Sequence, residues 1–317
     1  MMDKLSRSWA AVPAKPFVFG YLALYALMLY LLARFESFDP SEPLSVLGIL
    51  GVGFTFLAWL LTLGLPRIPL RLGKPAAEAL AVTVYLLVFA FGFLGWGMSW
   101  LKAALPDPRA HMLAVTLAKL LTMVLLPALL LRRFGHPLKE QLRWNFGWRR
   151  LGWRLALLAA ALMAFQALAS GSLKDLSDLH ASLPALLIGL PLCFVYLCVD
   201  TGLTEEFLFR VVVQTRFAAL FRSETAGVVV MAVLFGLAHA PGYYLRAGDA
   251  AVGSHPSVLM AAGYAIVLVS VFGFMFGMLW ARTRSLGLLV MAHAFTDLLP
   301  NTADFMQTWM GAAAPAP

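Results

Sequence analysis

The sequence predicts an all-α integral membrane protein, a polytopic bundle of about eight to nine transmembrane helices with a polar site inside the membrane. Hydrophobic residues make up 61% of the 317 residues and charged residues 13%, against roughly 45–50% and 25% in soluble domains. The mean hydropathy is +0.82. Apolar runs follow one another along the whole chain, and we expect no separate soluble domain.

Apolar segments of about 20 residues, the length that crosses a bilayer, recur along the chain. They are 17–33, 44–65, 79–101, 111–131, 152–170, 184–221, 224–240, 258–281 and 286–306. The segment 184–221 would be roughly 55 Å long as one helix at about 1.5 Å per residue. We therefore expect Pro184 and Pro191 to break or kink it.

The loops between these segments alternate in charge. Basic residues cluster in the amino-terminal tail, in the loop after the second segment and in 132–154, whereas the intervening loops are acidic or nearly neutral. This is the positive-inside pattern, and it predicts a cytoplasmic amino terminus. The same placement accounts for the net charge of +8 without a nucleic-acid partner. The predicted surroundings are the lipid bilayer.

Four regions follow from this reading of the chain. Residues 1–131 are predicted to form an amino-terminal four-helix membrane region with almost no internal ionisable groups. Residues 132–154, rich in Arg and Trp, are predicted to be a basic, amphipathic, cytoplasmic linker. Residues 155–310 hold nearly all the internal polar groups, and 311–317 form a flexible tail. Chemistry is therefore expected in the second half.

Residues 204–210, Thr-Glu-Glu-Phe-Leu-Phe-Arg, set two carboxylates and an arginine inside apolar sequence. Ionised side chains at membrane depth are costly unless paired or hydrated, and they usually mark a functional site. In a helix Glu206 and Arg210 share a face, which predicts an ion pair. Glu205 points about 100° away and has no local cation, which suits a general base or acid. A purely structural ion-pair cluster is the alternative.

Two later histidines also lie in apolar runs. Phe235 and His239 share one helical face, although a histidine near a helix end is often only a capping or interfacial residue. His293 and Asp297 are again four apart. Such a pair can hold the ring in one tautomer, bind a metal or stabilise an oxyanion. We expect Glu205, His239 and His293 to meet inside the membrane.

Taken together, the three motifs resemble the CPBP intramembrane protease family in order and spacing. They are Glu205-Glu206-x-x-x-Arg210, Phe235-x-x-x-His239 and His293-x-x-x-Asp297. That family includes CAAX prenyl endopeptidases, which trim prenylated proteins, and bacterial relatives linked to bacteriocin self-immunity or to the sorting of proteins with a carboxy-terminal helix. The resemblance covers roughly residues 184–300. It implies a protease core within 155–310 and a location in a bacterial inner membrane.

The resemblance implies hydrolysis of a peptide bond near the carboxy terminus of a membrane-anchored protein, either lipidated or helix-tailed. Glu205 with His239 would activate a water, and His293 with Asp297 would bind the developing oxyanion. Supporting roles would fall to Glu206, Arg210 and Phe235. The sequence leaves the oligomeric state open.

The third motif departs from the family, which usually has asparagine where this chain has Asp297. An ionised aspartate cannot donate a hydrogen bond to an oxyanion. Asp297 is then protonated, or it orients His293, or the activity is altered. No cofactor is expected. Zinc on His239, His293 and Asp297 is a less favoured alternative, since the chain has no H-E-x-x-H helix.

A non-enzymatic protein is the rival interpretation. A transporter, scaffold or immunity protein would use the same charged cluster structurally or as an ion path. Cys193 and Cys198 have no metal-type spacing and are interpreted as core residues.

Overall fold

The computed structural model describes residues 13–34, 38–66, 72–142, 144, 147–245 and 257–311, and these residues form helices and no strand. In chain order the helices are α1 (Ala14–Leu32), α2 (Ser41–Leu61), α3 (Pro75–Ala104), α4 (Pro108–Arg132), α5 (Leu138–Gln141), α6 (Trp148–Ala169), α7 (Ser172–Asp178), α8 (Leu183–Phe221), α9 (Glu224–Leu245), α10 (Val258–Thr283) and α11 (Leu286–Met310).

Eight of these helices have the length and apolar composition needed to cross a membrane: α1, α2, α3, α4, α6, α8, α9 and α10. The predicted all-α polytopic fold is thereby confirmed. The ninth predicted segment, 286–306, is also helical and forms most of α11. It lies outside the eight, since polar residues such as His293, Asp297 and Asp304 interrupt its apolar sequence.

Helix α8 corrects the expectation of a break at its prolines. Its 39 residues form one helix. Pro184 stands in the first turn, where its missing N–H is harmless, and the helix continues through Pro191. The irregularities come later, as two wide π-helical turns at Cys198–Leu203 and Glu206–Gln214. Such turns often occur at functional sites.

The chain divides into two compact units. The first comprises Met1–Trp59, Pro66–Trp96 and Phe209–Arg282, and the second comprises Leu60–Leu65, Gly97–Leu208 and Thr283–Pro317. Helix α8 contributes to both, with the division after Leu208. The predicted boundaries at residues 131 and 154 remain a prediction.

In the first unit, α9 packs against α1, α10 and the end of α8, and the end of α8 also contacts α3. Small residues allow the close approach of α9 and α10. A Cβ added at Gly273 would lie 2.7 Å from the Ala232 Cα, which is too close for two carbon atoms.

In the second unit, α11 packs against α6, α7 and the first part of α8. The linker predicted at 132–154 contains α5 and the start of α6. The Trp144 carbonyl oxygen accepts hydrogen bonds from Gly287 N and Ser285 Oγ, so the linker is attached to the start of α11. The cytoplasmic position of the linker remains a prediction. The predicted flexible tail lies outside the described residues except for Gly311.

Candidate intramembrane active site

Two adjacent glutamates lie past the middle of α8, Glu205 between its two wide turns and Glu206 at the start of the second. The Glu205 side chain is 15% exposed and that of Glu206 is fully buried. Since neighbouring residues on a helix point about 100° apart, the two carboxylates lie in different surroundings. Glu205 is the carboxylate that a water molecule can reach.

His293 on α11 lies among three carboxylates. Its Nδ1 lies 2.6 Å from Glu206 Oε1. Its Nε2 lies 3.4 Å from Asp297 Oδ2 and 3.8 Å from Glu205 Oε2. All four residues belong to the second compact unit. The structure therefore brings together four of the residues singled out in the sequence.

These contacts determine which nitrogen of the His293 ring carries a proton and how the ring is oriented. A carboxylate only accepts hydrogen bonds, so the His293 Nδ1–H donates to Glu206. This bond sets the orientation of the ring. A proton on Nε2 would face the carboxylates of Asp297 and Glu205, which stabilise a positive ring. The cluster can thus hold and transfer a proton in an otherwise apolar environment.

Gln166 on α6 fixes the backbone of α11 close to this cluster. Its Nε2 donates to the Phe295 carbonyl oxygen at 2.6 Å, and its Oε1 accepts from Leu299 N at 3.0 Å. The two bonds bracket the turn that carries Asp297. The sequence interpretation missed Gln166, although a lone amide in the apolar segment 152–170 is a signal that could have identified it.

His239 and Arg210 belong to the first compact unit, with Phe235. His239 Nδ1 lies 2.8 Å from the Phe235 carbonyl oxygen, and the two rings are 4.9 Å apart in an edge arrangement. The fully buried Arg210 guanidinium lies over the rings of Phe235 and Phe276 at 4.8 and 5.2 Å. Phe235 thus contacts both polar residues.

The bond to Phe235 also decides the tautomer of His239. A carbonyl oxygen only accepts, so Nδ1 carries the hydrogen and Nε2 keeps its lone pair in the neutral ring. His239 is partly exposed, and its free lone pair suits a general base. The predicted Glu206–Arg210 pair, and the predicted meeting of His239 with Glu205, remain predictions.

The amino-terminal region 1–131 contributes more buried charge than expected. Glu78 on α3 pairs with Arg216 at 3.3 Å in the first unit, and both side chains are almost fully buried. Lys119 on α4 pairs with Asp200 at 2.7 Å in the second unit. Lone charges inside apolar sequence were the available signal, and the expectation of an almost uncharged interior missed both.

Metal binding was the less favoured alternative. Within the part of the chain that the structure describes, no group of three or more His, Cys, Asp or Glu side chains is arranged to hold a metal ion. The three residues of the zinc alternative are divided between the units, with His293 and Asp297 in the second and His239 in the first.

Comparison with known proteins gives a match to a family model. The family model of type II CAAX prenyl endopeptidase, Rce1-like, matches residues 187–299, which contain all three motifs. This match confirms the family resemblance predicted from those motifs. No curated protein and no solved structure gives a significant match.

Proposed function

We propose, from the match of residues 187–299 to a family of CAAX-type proteases, that the chain is an intramembrane endopeptidase of the glutamate type. Its substrate would be a membrane-anchored protein cleaved near its carboxy terminus. The observation that carries this proposal is the His293 ring held among Glu205, Glu206 and Asp297. Three carboxylates around one imidazole are costly in apolar surroundings, and such groups usually mark a functional site.

In this proposal Glu205 is the general base. It is the more exposed of the two glutamates, and its Oε2 lies 3.8 Å from His293 Nε2. That separation leaves its oxygens available to a water molecule. Glu205 would take a proton from the water as the oxygen attacks the peptide carbonyl, and would later return the proton to the leaving amine.

Glu206 and His293 would act as a unit. The short bond from His293 Nδ1 to Glu206 fixes the ring, so that a proton on Nε2 is available to the negative oxygen that forms during attack. Asp297 Oδ2 lies 3.4 Å from the same nitrogen. This contact favours the orienting role among the three roles considered for Asp297.

His239 would be a second proton acceptor, through the lone pair on its Nε2. The residues on either side of it, Ala238 and Ala240, line an apolar cavity of about 600 Å³ in the first unit. The cavity lies between the carboxy-terminal part of α9 and parts of α3 and α10. An apolar cavity lined by the chain neighbours of a candidate base suits a substrate with a lipid group or an apolar helix.

The test compares Glu205→Gln with wild type in cells, by mass spectrometry of the carboxy-terminal peptides of membrane proteins. Glutamine keeps the shape of the side chain but cannot take the proton, so we expect new carboxy termini only with wild type. On a purified substrate, the rate should fall by about 10²–10⁴-fold.

Glu140→Gln, at an exposed position on α5, is the matched control and should behave as wild type. The identity of the cleaved proteins will show whether the substrates have lipidated tails or helical tails. If Glu205→Gln and wild type yield the same carboxy termini, the proposed mechanism is wrong and the non-enzymatic interpretation gains support.

A further inference from the structure

A largely buried ion pair joins α4 to α8 in the second unit, outside the proposed mechanism. Lys119 Nζ lies 2.7 Å from Asp200 Oδ2, and the two side chains are 16% and 8% exposed. Thr116 Oγ1 donates to the other carboxylate oxygen of Asp200 at 2.5 Å. Since a hydroxyl has one proton, the Tyr196 hydroxyl, 3.3 Å from Thr116 Oγ1, is the donor in that contact. Side chains of α4 thus hold both oxygens of Asp200.

Asp200 lies in the wide turn Cys198–Leu203, just before Glu205. One extra residue in a helical turn rotates every later side chain by about 100°. This turn therefore determines which face of α8 carries Glu205 and Glu206. The Thr204 Oγ1 donates to the Asp200 carbonyl oxygen at 2.5 Å, so the backbone of the turn is bonded as well.

The same turn touches the helix that carries His293. A Cβ added at Gly202 would lie 2.6 Å from the Val290 carbonyl oxygen, so α8 and α11 approach closely here. Val290 precedes His293 by three residues, about one turn. Gly202 likewise precedes Glu205 by three residues. The turn is thus held by α4 through Asp200 and packs on α11 one turn before the carboxylates meet the imidazole.

Joining two apolar helices by an ion pair carries a desolvation cost, since both charges are removed from water. Well-packed apolar side chains often serve stability equally well or better, whereas buried polar groups can fix register. We propose that the Lys119–Asp200 pair, with Thr116, is a positioning clamp that sets the face of α8 on which Glu205 and Glu206 stand. The effect of the clamp on the catalytic rate rests on the proposed protease function. Its effect on the hydrogen bond between Glu206 and His293 does not rest on that function.

The geometric test uses ¹⁵N-histidine-labelled protein in detergent micelles. The His293 signals are assigned by their absence in His293→Ala. In wild type, the Nδ1–H bonded to Glu206 should give a downfield proton signal. We expect this signal to be lost or shifted upfield in Lys119→Met/Asp200→Leu. This double variant replaces both charged side chains by apolar ones of similar size. Lys119→Arg, which retains the charge, should keep the signal.

The kinetic test measures kcat and KM for the same variants in proteoliposomes with a membrane-anchored substrate. A misplacement of about 1 Å can lower a rate by roughly 100-fold, and we expect a kcat loss of that order in the double variant, with KM little changed. Lys119→Arg, which retains the charge, should keep most of the wild-type kcat. Lys102→Met, at an exposed position in the last turn of α3, is the control and should match wild type.

Two outcomes would overturn the clamp. One is a double variant, folded by its thermal unfolding curve, with the wild-type His293 signal. The other is a double variant that keeps the wild-type kcat. If Glu205→Gln proves as active as wild type, the proposed function fails, but the histidine signal still decides the geometric claim.

Discussion

His239 and His293 occupy contrasting surroundings. His239 Nδ1 donates to the neutral carbonyl of Phe235, and the His239 ring lies against the Phe235 ring. His293 is bonded to Glu206 and lies within 4 Å of the carboxylates of Glu205 and Asp297. Both rings donate from Nδ1, but the acceptor is a neutral carbonyl for His239 and a carboxylate for His293.

This difference separates two kinds of proton chemistry. The neutral His239 ring keeps a lone pair on Nε2, so His239 is suited to accept a proton transiently. A ring among carboxylates is stabilised when positive, so His293 is suited to hold a proton near the reacting atoms. The two histidines should therefore respond differently to removal.

The largest effect is expected for His293→Ala. Removing one partner of a buried charged cluster leaves the others uncompensated, which typically costs about 3–5 kcal/mol. We expect a marked fall in the thermal unfolding temperature in detergent, together with loss of activity. His180→Asn is the control: His180 is exposed with a φ of 47°, a conformation that asparagine tolerates.

An unchanged unfolding temperature for His293→Ala would contradict the claim that His293 compensates the charge of the carboxylates around it. The two histidines would then not differ in the way described.

His239→Ala should affect activity far more than stability. It removes one hydrogen bond, worth about 0.5–1.5 kcal/mol, so the unfolding temperature should change little. As a general base, His239 should contribute about 10²–10⁴-fold to the rate. The measurement is kcat in proteoliposomes beside thermal unfolding of the same sample. A loss of stability as large as that of His293→Ala would remove the contrast between the two residues.

Part of this contrast was accessible from the sequence, because two of its contacts depend on spacing along single helices. Four-residue spacing puts Phe235 with His239 and His293 with Asp297, and both relations are present in the structure. Contacts between helices were not accessible. The bond from His293 to Glu206 depends on how α8 and α11 pack, and sequence spacing carries no information on that packing.

The wide turns of α8 limited the sequence reading further. Each one rotates the residues that follow, and nothing in the composition of Cys198–Leu203 announces an extra residue in the turn. The prolines drew attention to the wrong end of the helix. Single polar residues within apolar segments, such as Gln166 and Lys119, would have been better guides, since their burial requires a partner.

Asp297→Asn should have the smallest effect. At 3.4 Å the contact between Asp297 and His293 is long, and Asp297 is 27% exposed, so the charge contributes less than that of the buried Glu206. Hydrogen bonds to charged groups contribute about 1.5–3 kcal/mol and neutral ones about 0.5–1.5. We therefore expect kcat to fall by up to about tenfold, since the amide oxygen can still accept from His293.

The control for this variant is Asp304→Asn, an exposed carboxylate on the same helix, which should leave kcat unchanged. A gain in activity for Asp297→Asn would show that donation to the oxyanion matters more than orientation of His293. A complete loss would show that the negative charge of Asp297 is essential to the ring. Either result would replace the orienting role, because orientation alone needs only an acceptor at that position.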